Sequence, residues 1–184
     1  ASLIFIIVLS AFALFLMSYK GYKIDSSTED ISDDWLTNIG GLAALVVVII
    51  PTTCLGSGSE GIAKLCSSPL EPLLGHTNNT LNTIHLISAG IFILCMGWMS
   101  SKKFTRNPND RHNKLYKTCG TLVFISVGLI LIFKILEQFV ADFPLKDYYV
   151  FIFETTAVIP FGISWLVKGN AIDDVMMMRR KMLD

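Results

Sequence analysis

Charge is scarce in this sequence. Asp, Glu, Lys and Arg make up 16% of its 184 residues, against roughly 25% in soluble domains. Neither sign is in excess: fifteen Lys and Arg balance fifteen Asp and Glu. No global field steers a polyanion, which excludes a nucleic-acid binder of the basic kind. Four cysteines are too few for a disulfide-built miniprotein. There is no GxSxG, P-loop, HExxH or CxxC, and no close histidine pair, so the common hydrolase, nucleotide and zinc motifs have no support.

What is abundant is apolar surface. Hydrophobic residues are 52% of the chain and the mean hydropathy is +0.57, which excludes a disordered chain. Five apolar runs of 17 to 22 residues lie at about 2–18, 36–53, 81–99, 119–140 and 148–167. A helix needs about 20 residues to cross the hydrocarbon. The runs do not alternate as barrel strands would. The predicted fold is all-α: a polytopic transmembrane helical bundle forming a single domain over 1–184, with a cytoplasmic tail at 170–184.

Ala1 opens straight into the first run with no basic n-region. That speaks against a secretory signal peptide and for an excerpt of a longer chain. Lysine and arginine bias sets the orientation. Lys102, Lys103, Arg106, Arg111, Lys114 and Lys117 mark the third loop as cytoplasmic. Lys168, Arg179, Arg180 and Lys181 do the same for the tail. Residues 54–80 and 141–147 then face outside. The acidic stretch Asp25 to Asp34 reads as a solvated turn.

Several patches resemble a family of uncharacterised bacterial multi-pass membrane proteins. They are SYKGYK (Ser18 to Lys23), IIPTT (Ile49 to Thr53), IHLISAG (Ile84 to Gly90), KLYKTCG (Lys114 to Gly120), and Glu154 followed by FGISWLVKG (Phe161 to Gly169). The resemblance covers nearly the whole chain. It implies one further span upstream, six helices in all, both ends cytoplasmic, and residence in the bacterial inner membrane. It implies no activity. The sequence departs from the family around Ser26 to Asp34 and in the long outer loop.

Ionisable groups inside hydrocarbon are expensive and mark functional sites by default. His85, Lys134, Glu137 and Glu154 lie within runs, each roughly 5–9 Å from the outer end of its helix at 1.5 Å per residue. Lys134 and Glu137 are three apart and can pair. Asn82, His85 and Ser88 form a polar stripe that packs inward. Glu154 needs a partner on another helix, with His85 or Lys134 the natural choice. His85, Glu154, Lys134, Glu137, Asn82 and Ser88 are therefore the candidate ligand-binding residues. No catalytic residue or metal ligand set is assigned, and no cofactor is identified. Cys54 and Cys66, in the outer loop, could form a disulfide in an oxidising compartment. Cys95 and Cys119 read as small packing residues. Gly40, Gly41, Gly90, Gly97, Gly120, Gly128 and Gly162 read as close helix contacts.

Three functional classes remain open. The first is a non-enzymatic protein whose outer-leaflet polar pocket binds a small molecule, lipid headgroup or ion. The second is an intramembrane lipid-modifying or metal-dependent hydrolase using Glu154 with His85. The third is a structural subunit of a larger membrane complex. The expected partners are the bilayer, and membrane proteins or further copies of the chain, with no nucleic acid.

Overall fold

The computed structural model describes residues 2–21, 31–52, 76, 78–140, 145 and 148–170. Cys54, Cys66, most of the outer loop and the tail beyond Asn170 lie outside the described residues. The described residues are all-α. The helices are α1 Ser2–Ser18, α2 Asp33–Ile49, α3 Asn79–Trp98, α4 Asn113–Phe139 and α5 Tyr149–Lys168. A π-helical turn, Met99–Lys103, continues α3. Three helices are long and apolar enough to cross a membrane: Asn79–Lys103, Asn113–Phe139 and Tyr149–Lys168. α1 and α2 have 17 residues each, roughly 25 Å of rise against a hydrocarbon core of about 30 Å.

Helix ends follow local chemistry. Ser32 caps α2, its hydroxyl accepting from the Trp35 amide at 3.1 Å. Asp33 and Asp34 in the first turn complement the helix dipole. α2 stops at Ile49, earlier than the apolar run, because Pro51 biases the preceding residue away from the helical region. Ile50 sits at φ −111° and ψ 96°. α4 starts at Asn113, six residues before its apolar run, since polar residues continue a helix into the headgroup zone.

The chain groups into two compact units, 1–95 and 96–184. In the first, Leu9 and Ala13 of α1 pack with Ala44, Val47 and Val48 of α2 and Ala89 of α3. Close approach is possible because Gly41 lies against α1. A Cβ there would sit 2.8 Å from the Ala13 carbonyl oxygen. Asp33, expected in a solvated turn, is 2% exposed, and a Cβ on Gly21 would run into its side chain.

In the second unit, α4 and α5 pack antiparallel. Phe133 stacks on Tyr149 at 5.4 Å between ring centroids and meets Phe153 at the same distance. Gly120 of α4 lies against the π-turn. A Cβ on it would sit 2.6 Å from Ser101 Cβ and 2.9 Å from the Gly97 carbonyl. Three of the seven glycines read as close contacts behave otherwise. A Cβ on Gly90, Gly128 or Gly162 would meet nothing within 4 Å. Cys95 and Cys119 are buried free thiols.

Candidate functional site

His85 is buried on α3 and hydrogen-bonds to the last turn of α2. Its Nδ1 lies 2.5 Å from the Ile50 carbonyl oxygen. A carbonyl only accepts, so Nδ1 carries the proton and donates. Ile50 ends α2, where the final carbonyls have no intrahelical partner. His85 therefore satisfies an orphan acceptor on a neighbouring helix, which fixes both the ring and the α2–α3 contact. Ser88, one turn further along α3, is buried, and Asn82 is half-buried.

Lys134 and Glu137 do pair. Lys134 Nζ donates to Glu137 Oε2 at 2.9 Å, with the lysine half exposed. The same oxygen accepts from the Tyr149 hydroxyl at 3.1 Å. Tyr149 is 2% exposed at the start of α5, so Glu137 ties the end of α4 to the first turn of α5. A buried tyrosine hydroxyl needs such a partner.

Glu154 stands apart. Among the described residues its carboxyl has no hydrogen bond and no ion pair, with neither Lys134 nor Glu137 engaged to it. It sits on the border between two faces of α5. Ala157 and Phe161 on one side are buried, while Phe151 and Val158 on the other are exposed. The hydroxyls of Thr155 and Thr156 donate to their own helix at Phe151 and Ile152, each at 2.7 Å. They offer the carboxylate nothing. Expected partners of Glu154 are thus spoken for elsewhere: His85 Nδ1 serves Ile50, and Lys134 serves Glu137.

A second polar cluster, missed in the sequence, lies at the opposite end of α4 and α5. Lys168 Nζ donates to the Phe104 carbonyl at 3.0 Å and to Asp110 Oδ2 at 3.4 Å. It also lies 5.3 Å from the Tyr116 ring centroid, within cation–π range. Phe104 meets Tyr116 and Trp165 edge-on at 5.7 and 5.2 Å. Ser100 donates to the Tyr116 carbonyl at 3.0 Å. The Asp110 carboxyl is held below its ordinary range, first by the His112 backbone N–H at 2.9 Å and then by Lys168. The signal was present as Phe161, Trp165 and Lys168 on one helical face. Its partner loop lacked any apolar period that would announce it.

His85 of IHLISAG bonds Ile50 of IIPTT. Trp165 and Lys168 of FGISWLVKG reach Phe104 and Tyr116, the latter in KLYKTCG. Among the described residues no three His, Cys, Asp or Glu side chains converge as a metal site would require. No family model, curated protein or solved structure matches this chain.

Proposed function

We propose that the chain is a multi-pass integral membrane protein of the bacterial inner membrane that binds a ligand without transforming it, with Glu154 as the group that receives it. On this reading α1 and α2 also cross the membrane, their ends completed by polar residues in the headgroup zone. Leu3, Ile4, Phe5, Ile7 and Val8 of α1 are all more than half exposed, a surface that suits lipid and not water. The C-terminus and the basic third loop face the cytoplasm, by the lysine and arginine bias.

The observation that carries the reading is the carboxyl of Glu154, which has no partner among the described residues and lies about five residues inside a helix long and apolar enough to span a membrane. A carboxyl in apolar surroundings is costly unless something compensates it. Among the described residues Lys134 pairs with Glu137 and His85 bonds Ile50, whereas the Glu154 carboxyl has no partner there. It is open to one from outside, and a carboxylate selects a small cation or a hydrogen-bond donor. The Lys134–Glu137 pair, tied to Tyr149, holds the neighbouring ends of α4 and α5 beside it.

The test is a thermal-shift series on the purified full chain in detergent, with Li⁺, Na⁺, K⁺, methylammonium and choline as probes. At least one probe should stabilise the wild type at concentrations where Glu154→Gln is unresponsive. A ligand at 100 times its Kd is worth about 2.7 kcal/mol, a shift of several degrees. A wild type indifferent to all probes, or a variant that responds equally, removes the reading.

A further inference from the structure

We infer that the N-terminal end of α4 is a headgroup site for an anionic phospholipid bearing hydroxyl groups, such as phosphatidylglycerol. α4 has 27 residues, roughly 40 Å of rise, about 10 Å longer than the hydrocarbon core. Its apolar run begins only at Cys119. The first turns, which carry Lys114 and Lys117, therefore stand at headgroup depth.

Asn113, Lys114, Lys117, Thr118, Thr121 and Leu122 line an open hollow of about 500 Å³ along one face of the helix. Its upper wall is cationic, its middle carries two hydroxyls, and its floor is apolar. Leu122 and Ile125 beyond it are exposed, as an acyl chain would require. Lys114 and Lys117 have no carboxylate partner among the described residues, and the Thr118 hydroxyl has no hydrogen bond there. Asp110, the acid nearest to them in sequence, is engaged by Lys168 and by the His112 backbone N–H. His112 provides no side-chain cap to α4.

Asn113 narrows the class of lipid. Its Nδ2 donates to the carbonyls of Asn107 and Pro108 at 2.6 and 3.2 Å, which fixes the amide orientation. Its Oδ1 is then a buried acceptor without a donor. A headgroup hydroxyl fills that role, and a choline headgroup has none to give. The Thr121 hydroxyl donates to its own helix at Lys117, at 2.9 Å. Phosphate on the lysines and the Thr118 hydroxyl, with a headgroup hydroxyl on Asn113, describes a glycerol headgroup.

The site lies away from Glu154 and does not depend on the ligand proposed there. Native mass spectrometry of the full chain, released from micelles doped with dioleoyl phosphatidylglycerol or dioleoyl phosphatidylcholine, tests it. The wild type should retain the glycerol lipid preferentially. Lys114→Gln with Lys117→Gln should cut that preference roughly 30-fold, two charges at about 1 kcal/mol each. The paired arginine substitutions should keep it, and Lys134→Gln should leave it untouched. Thr118→Val should weaken it without touching charge. Equal retention of the two lipids, or retention unchanged in both the glutamine and valine variants, overturns the inference. So does complete displacement by millimolar inorganic phosphate, which would mark a site for the free anion. Carbonate washing of membranes separates the failures: a chain that is released was never embedded, whereas one that stays but shows no preference refutes only the lipid site.

Discussion

His85 illustrates how one side chain can look functional and turn out to be a fastener. Its position within an apolar run suggested a ligand, yet its Nδ1 donates to Ile50 at the end of α2. Removing it strands a carbonyl that has no intrahelical alternative. His85→Ala should cost about 1–3 kcal/mol, the penalty for an unsatisfied buried polar group. The check is equilibrium unfolding of the full chain in mixed micelles. A loss below a few tenths of a kcal/mol would mean that water or another donor already serves Ile50. Glu154 behaves oppositely, since no bond ties it to the described residues. Glu154→Gln should therefore unfold no more easily than the wild type while losing the response to added cations.

At the scale of elements, the loop after α3 is fastened to the end of α5 through Lys168. The π-turn directs Phe104 into the aromatic contact with Tyr116 and Trp165. Lys168 then spans the Phe104 carbonyl and Asp110. The Asp110 carboxyl is depressed in the folded state. A depressed acid contributes stability that is complete above its unfolded pKa and disappears as pH falls through its folded value. Wild type should thus melt above Asp110→Asn at neutral pH, with the gap closing below the ordinary carboxylate range. Melting curves of both proteins across pH would show it, and a gap that stays constant into acid would contradict the assignment.

The helices themselves were legible because apolar length is a direct signal in lipid. Ser2–Ser18 is bounded as the sequence reads. The start of α4 was not, because Asn113, Lys114, Lys117 and Thr118 interrupt the apolar pattern and only helical hydrogen bonding reveals that they continue the helix. The Lys134–Glu137 pair was legible from its spacing, whereas its tie to Tyr149 crosses a loop that no periodicity spans. The Lys168 cluster was illegible for the same reason. It joins residues up to 64 apart through a carbonyl that carries no side-chain signature.

For the whole molecule, the helices present outward faces that suit lipid, and among the described residues the carboxyl of Glu137 is paired within the chain while that of Glu154 is not. Leu131, Ile132, Ile135 and Phe139 of α4 are each more than half exposed, which only a hydrocarbon surrounding makes inexpensive. The central claim is that Glu154 is an available carboxyl within the membrane. Carbodiimides report this directly, because they add to a protonated carboxyl and come in lipid-soluble and water-soluble forms. In native membranes, dicyclohexylcarbodiimide should modify Glu154 in preference to the paired Glu137, read by peptide mass spectrometry. A water-soluble carbodiimide should spare Glu154 while reaching the exposed Asp34. Labelling of Glu154 by the water-soluble reagent as readily as Asp34 would place it in water and contradict the account.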